Sequence, residues 1–236
     1  MPEVREGHRI GELIAARAEV QEGDVIVVSQ KVVSKAEGRL VSLAEVEPGA
    51  RAAGLARELG KNPALVQLVL DESASVIRAE RGVLICETGH GLVCANAGVD
   101  TSNLPEGFAS LLPVDPDASA SRIRSELRDS VGVESGVVVS DSFGRAWRTG
   151  QCEVAIGCAG VAPIDDWRGK IDASGRRLEA TAIAIADEAA AAADLVRHKT
   201  SRTPASIVRG MARYVSPGDG PGAAAVRRPR DQDLFR

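Results

Sequence analysis

A chain of 236 residues with 44% apolar and 26% charged side chains buries roughly 70 to 75% of its unfolded surface, which excludes the disordered, collagen-like and coiled-coil classes. A formal charge of −4 lacks the basic face of a general nucleic-acid binder, so the expected partner is a small molecule and not nucleic acid. Charged residues at Glu3, Arg5, Glu6 and Arg9 leave no secretory leader, and no uncharged run reaches the length of a spanning helix; the chain reads as cytoplasmic, with no membrane partner.

The segment PEVREG reads as an extended lead-in, followed by a short helix through Ile10, Leu13 and Ile14 and a turn at Glu22-Gly23-Asp24. DVIVVSQKVVS fills both faces with β-branched residues and predicts a buried strand ending in polar residues. Ser42 with Glu45 matches a capping box ahead of SLAEVEPGARAAGLARELG, with Pro48 restarting the helix and Gly60 closing it. Pro63 opens a further helix over ALVQLVL. SVIRAE and GVLICE flank Arg81-Gly82 as a hairpin. The next stretch, ETGHGLVCANAGVDTSNLPEG, carries Gly and Asn in place of periodicity and reads as a functional loop.

Further on, Ile123, Leu127 and Val131 recur at helical spacing in SASRIRSELRDSVG, with Gly132 as the stop. The strand VVVSD feeds directly into the polar segment SFGRAWRTGQ, and an apolar stretch follows from Val154 to Ile164. Alanine dominates from Ala180 to Ala193, which predicts a helix pressed against a neighbouring helix or subunit, with Asp187, Glu188 and Asp194 on its wet face. Residues 216–236 read as a loosely ordered tail of one domain spanning 1–236, since no repeat or linker divides it. Strands and helices mix without a βαβ rhythm, so the fold class is α+β, or an irregular mixed α/β.

Chemistry is scarce in this sequence. Phe108, Phe143, Phe235, Trp147, Trp167 and Tyr214 supply few stacking platforms for bases. Cys86, Cys94, Cys152 and Cys158 form no CxxC pair and read as buried thiols; Gly89 and Gly91 interrupt any helix that would align Cys86, His90 and Cys94 on zinc. Neither GxxxxGK[ST], GxGxxG nor GxSxG occurs. What remains are two polar loops at strand ends. In the first, Asp100 sits among Asn96, Thr101, Ser102 and Asn103; in the second, Asp141 and Ser142 precede Gly144, Arg145, Arg148 and Gln151. Hard dications take such carboxylate and hydroxyl oxygens and share phosphate oxygens with a substrate, while Asx turns explain the same residues by their own backbone hydrogen bonds. Lys31, Lys35, Arg145, Arg148, Lys199, Arg202 and Arg209 recur near strand ends, as a polyphosphate pocket requires and as a solvated surface also allows.

The segments SQKVVSKAEGR, CETGHGLVCANAGVDTSN, SDSFGRAWRTGQCEVAIGCAGVAPIDDWRGKIDASG and DLFR together resemble the coenzyme F-420 gamma-glutamyl ligase family, from Pro2 to Arg236. That resemblance implies a GTP-dependent ligase joining L-glutamate to a deazaflavin cofactor precursor, with Mg2+ or Mn2+ and K+ as ions. It implies metal ligands at Asp100, Asp141 and Ser142, the last where relatives often carry threonine. Nucleotide contacts would fall on Pro2, Glu3, Val4, Arg5, Ser29, Gln30, Lys35, Asn103 and the Val196 to Thr203 stretch with Lys199; Lys35 and Arg145 are the expected catalytic cations. Ala146 departs from a proline usual before Trp147, and Gly89 from an arginine. The implied architecture is a two-lobed, intertwined α+β homodimer, here without the nitroreductase-like domain that some relatives add.

The chemistry this implies is physically coherent. A carboxylate is a poor acyl donor at neutral pH, so attack on the γ-phosphate of GTP to give an acyl phosphate, followed by displacement by the glutamate amine, overcomes the difficulty. No residue stands out as the base for that amine. The open alternatives are a metal-dependent carboxylate-amine ligase or phosphotransferase on another substrate, and a non-catalytic deazaflavin-binding protein.

Overall fold

The structure is a computed structural model in which residues 1–197, 200 and 202–234 are described. In chain order the elements are α1 (Ile10–Ala15), β1 (Val25–Ser29), α2 (Gln30–Ala36), β2 (Leu40–Ser42), α3 (Ala50–Leu59), α4 (Pro63–Asp71), β3 (Ser73–Glu80), β4 (Val83–Thr88), β5 (Val93–Ala95), β6 (Phe108–Ser110), α5 (Pro116–Val131), β7 (Gly136–Arg145), β8 (Arg148–Ala159), β9 (Asp165–Asp166), β10 (Ala182–Ile183), α6 (Ile185–Asp194) and β11 (Ala205–Val208). The fold is mixed α+β with several small sheets, as composition and pattern predict. Among the described residues no helix is long and apolar enough to cross a membrane.

The principal sheet has the order β11-β1-β7-β8. Strands β1 and β7 run parallel, Val25 opposite Gly136 through Ser29 opposite Ser140, while β11 and β8 flank them antiparallel. Both faces of this sheet are covered, which is why its strands read as continuous β-branched runs. On one face Ile26, Val28, Val137, Val139 and Ile156 meet Ile10, Ile14, Ile123 and Leu127 of α1 and α5. On the other, Val25, Val27, Val138, Ala155 and Cys158 meet Ala186, Ala189, Ala190 and Ala193 of α6. Residues Val25 to Val28 are fully buried, and each such side chain contributes about 1.5 to 3 kcal/mol by leaving water. A second core lies under the β3-β4-β5 sheet, where Leu84 and Cys86 pack on Ala52, Ala56, Val66 and Val69 of α3 and α4.

Pro63, Gly60, Gly132 and the Arg81-Gly82 hairpin act as expected, and two N-caps not read from the sequence join them. Asn62 accepts from the Ala64 N–H at 2.8 Å with Pro63 in the first turn, and Asp115 does the same for Ala118 at 3.0 Å ahead of Pro116. Gly60 and Gly132 close their helices with φ of 64° and 74°, a conformation costly for any residue with a Cβ. The hairpin at Arg81-Gly82 forms, and Cys86, Cys94 and Cys158 are buried thiols, with Cys152 half-buried.

Other expectations are corrected. The run DVIVVSQKVVS is not one strand: β1 ends at Ser29 and QKVVSKA is helical. Buried Gln30, Val33 and Ser34 lie at i, i+3 and i+4, and the Ser34 hydroxyl donates to Gln30 Oε1 at 2.9 Å, so helical spacing overrides β-branched propensity. Ser42 makes no capping bond; Leu43–Glu45 is a single 3₁₀ turn and the helix begins only at Ala50, because Pro48 pushes Glu47 out of helical conformation. The segment from Glu87 to Gly107 is not all loop, since it contains β5, whose Cys94 pairs with Cys86 across the ladder. The alanine helix α6 packs on the principal sheet of its own chain, with Ala223 in the same cluster. Its Asp187 is not on the wet face, since its Oδ1 accepts from the Ala155 N–H at 2.9 Å.

Part of 216–236, expected to be loosely ordered, is held against the core, chiefly by Arg124 and Asp117. Arg124, 4% exposed, donates to Ser135 O at 2.8 Å, to Asp219 Oδ1 at 2.8 Å, to Glu134 Oε2 at 2.5 Å and to the carbonyls of Ser216 and Pro217 at 2.6 and 3.0 Å. Asp117 adds bonds from Cys158 N and Ala223 N.

Candidate active site

The parallel pair β1 and β7 ends with Ser29 beside Ser140, and the carboxyl ends of neighbouring parallel strands are where α/β sheets place ligands. Two chains of residues leave that edge. After β1, helix α2 brings Lys31 in its first turn and Lys35 one turn later. After Ser140, strand β7 continues to Asp141.

Asp100 arrives from the loop after β5. Its backbone is pinned by an isolated bridge to β6, with Asp100 N–H donating to Ser110 O at 3.1 Å and Ser110 N–H donating to Asp100 O at 2.8 Å. The Lys31 ammonium donates to Asp100 Oδ2 at 2.6 Å, to Ser102 Oγ at 2.7 Å and to the Ser102 carbonyl. Ser102 in turn donates from N and from Oγ to Asp100, each at 2.8 Å. Burial pushes the Asp100 carboxyl up, but Lys31 and these Ser102 bonds outweigh it, and the net value lies below the ordinary carboxylate range.

Asp141 faces the opposite balance. It is half-buried, and burial pushes its carboxyl up to about 7; the Ser142 N–H opposes this, while the charges of Glu153 and Asp100 add to it and Lys31 only partly relieves it. Cys94 borders the same spot, its thiol pushed to about 12 by burial and then by Asp141 and Cys86, so it stays neutral. Asp100, Asp141 and Lys31 thus form one electrostatic unit with more negative than positive charge.

The neighbours of Asp141 point the other way, as strand alternation requires. Val139 and Phe143 pack on the α5 side, whereas Val138 belongs to the α6 side. Ser140 and Ser142 follow Val138, and both hydroxyls donate to Glu153 of β8, to Oε2 and Oε1 respectively, at 2.5 Å each. Arg197, just past α6, reaches Glu153 Oε2 and Ser140 Oγ at 3.3 Å.

Of the residues expected from sequence, Asp100 and Asp141 come together, and Lys31 joins them. Ser142 is adjacent, with its hydroxyl on Glu153. Lys35 binds Glu3 Oε1 at 2.7 Å, which ties PEVR to α2 one turn from Lys31; Val4 is buried, and Pro2 and Arg5 are exposed. Gln30 is buried beneath the same helix and Ser29 donates its N–H to Pro204 O. Asn103 is exposed with φ of 53°. Asp141 and Ser142 sit inside a strand and not in a loop, because SFGRAWRTGQ forms the end of the β7–β8 hairpin, with Arg145 and Arg148 paired and exposed beside Trp147 at φ of 56°. Lys199 lies outside the described residues. Sequence reasoning passed over Glu153 and Arg197; the signal for Glu153 was one carboxylate in the otherwise apolar run after Cys152.

Among the described residues no group of three or more His, Cys, Asp or Glu is arranged to hold a metal alone. Two carboxylates, one of them raised to about 7 by burial and, less, by the charges of Glu153 and Asp100, nevertheless fit a dication that takes its other ligands from water and phosphate oxygens, the usual habit of Mg2+.

An acidic pair at the carboxyl edge of a mixed sheet, with Lys31 on one of its members, places oxygen ligands where α/β sheets take ligands. Comparison with known proteins is specific: the F420-0:Gamma-glutamyl ligase family matches residues 1–210, and the chain belongs to that ligase family. It is 46% identical over 235 residues to the Coenzyme F420:L-glutamate ligase of Methanopyrus kandleri, covering 99% of this chain and 93% of that protein. It is 43% identical over 242 residues to that of Methanothermobacter thermautotrophicus, covering 100% and 96%, and 40% identical over 228 residues to that of Methanocaldococcus jannaschii, covering 96% and 90%.

Proposed function

We propose that this protein is a GTP-dependent ligase that adds L-glutamate through an amide, gamma-glutamyl linkage to the deazaflavin coenzyme F-420 precursor, releasing GDP and phosphate. Family membership and the names of three relatives support the substrate pair. The observation that supports the phosphoryl chemistry is that Asp100, bonded to Lys31, lies close enough to Asp141 for its charge to act on it, with the Asp141 carboxyl driven up to about 7 chiefly by burial.

In this reading Asp100, Asp141 and the adjacent Ser142 hold Mg2+ or Mn2+, which supplies positive charge to the phosphate oxygens. Lys31 holds Asp100 in place from α2. Lys35, released from Glu3, and Arg145 on the hairpin offset the charge that builds as the precursor's terminal carboxylate takes the γ-phosphoryl group of GTP. Glu3 and its neighbours, Ser29, Gln30, Asn103 and Lys199 line the nucleotide. The glutamate amine then displaces phosphate from the acyl phosphate. K+ joins as a further ion, and the protein acts in the cytoplasm as a two-lobed homodimer.

The test is product mass spectrometry after mixing protein, L-glutamate, the unglutamylated precursor and Mg2+ or Mn2+ with GTP or ATP. Glutamylated product with GTP and little with ATP is expected; equal turnover with both refutes the guanine preference, and no product with either refutes the ligase reading.

A further inference from the structure

We propose that Glu153 is a positioning residue that acts through Ser140 and Ser142 to aim the Asp141 carboxylate. This rests on the metal role of Asp141 proposed above. Glu153 is a charged side chain only 6% exposed, and a carboxylate so placed persists only when its oxygens are occupied. They are occupied by the two residues that flank Asp141 on β7. The hydroxyl of Ser140 donates to Oε2 and that of Ser142 to Oε1, both at 2.5 Å. Each serine has one hydroxyl proton to give, and both are committed to the same group across the ladder.

This bracket stands beside an irregularity of the sheet. Between the pairs Val139–Gly157 and Ser140–Ala155 the facing strand β8 carries one extra residue, Ile156, and such a bulge bends the strand that holds it and disturbs the ladder next to Ser140. With Ser140 and Ser142 fixed, the peptide planes on both sides of Asp141 are fixed as well, and its side chain stays on the face of Asp100 and Lys31. Arg197, just past α6, adds an ion pair to Glu153 at 3.3 Å. Residues that orient a metal ligand in this indirect way typically change affinity about 10- to 100-fold when replaced.

Mn2+ binding to the nucleotide-free protein, followed by the electron paramagnetic resonance of free Mn2+, separates this role from a purely structural one. The proteins are wild type, Asp141→Asn, Glu153→Gln, Ser140→Ala and the Ser140→Ala/Glu153→Gln double variant, each with its metal-free thermal midpoint. Asp141→Asn should abolish tight binding, and Glu153→Gln should weaken it at least about tenfold. The double variant should be within about twofold of Glu153→Gln, because both substitutions break one linkage. A folded Glu153→Gln that keeps wild-type affinity while Asp141→Asn loses it overturns the proposal and leaves the metal reading standing, as do two defects that simply multiply. Wild type with no Mn2+ affinity overturns both. Should Glu153→Gln fail to fold, Ser140→Ala, which leaves Glu153 its Ser142 and Arg197 partners, decides the matter: roughly threefold or more weakening is expected, and unchanged affinity overturns the role.

Discussion

Asp141→Asn changes charge at a place where the surroundings oppose charge. Asparagine keeps the shape, and its Oδ1 can still accept the Ser142 N–H that Asp141 accepts at 2.9 Å. In the unfolded chain the carboxyl ionises near 3.8, whereas in the folded protein it keeps its proton until about 7. The folded state therefore binds more protons between those values, and stability falls as pH rises through that window. The penalty is absent below the unfolded value and complete above the folded one. At full value it is ~4 kcal/mol, and hydration of a half-buried group reduces it to about 2 kcal/mol. Without metal at about pH 8, the asparagine variant should be the more stable protein, with a thermal midpoint higher by about 4 to 8 °C. The gap should close on acidification toward about pH 4. With Mn2+ or Mg2+ and substrates the order reverses in function, and turnover should fall at least about a hundredfold, ~2.7 kcal/mol of transition-state stabilisation. Thermal unfolding in chelator at several pH values, beside the glutamylation assay, reads both effects. A variant no more stable than wild type at high pH, or a gap that ignores pH, refutes the electrostatic account; near-wild-type turnover removes Asp141 from catalysis.

Lys31→Met should tighten Mn2+ binding to the nucleotide-free protein about fivefold, ~1 kcal/mol, because it removes a cation 2.6 Å from Asp100 Oδ2; weaker binding by calorimetry contradicts the counter-ion role. Arg124→Gln strips a buried guanidinium from Glu134, Asp219 and three backbone carbonyls, and should cost about 3 to 5 kcal/mol in urea unfolding. A loss below about 1 kcal/mol would mean that Arg124 does not anchor the segment from Ser216. Gly157→Ala would place a Cβ 2.2 Å from the Pro116 carbonyl oxygen. It should destabilise by about 1 to 3 kcal/mol or more, whereas an unchanged thermal midpoint would show that the start of α5 yields freely.

The sequence showed the helices that Pro63 opens and that Gly60 and Gly132 close, because those signals are local, whereas the caps Asn62 and Asp115 were passed over. It did not show that Gln30 turns from strand to helix, since Val32 and Val33 suit either state until burial of one face decides. Asp100 and Asp141 were legible as carboxylates in polar surroundings, and the family resemblance singled them out. Their partnership with Lys31 was not, because the Lys31 contact bridges 69 positions and leaves no periodicity. Glu153 stayed hidden for the same reason: its meaning lies across a hairpin, in the two hydroxyls opposite.

The first strand of the principal sheet has a consequence for synthesis. β1 is complete by Ser29, but its parallel neighbour begins at Gly136 and its antiparallel neighbour at Ala205. The pair that clasps this edge, Arg209 with Asp24, joins residues 185 positions apart. At about 5 to 20 residues added per second, the fully apolar stretch Val25 to Val28 emerges from the ribosome and waits roughly 10 to 40 seconds for its second neighbour. During that interval it is an unpaired edge with no charge to deter other chains. Production of this protein should therefore respond to chaperone supply and translation rate even when the finished molecule is stable.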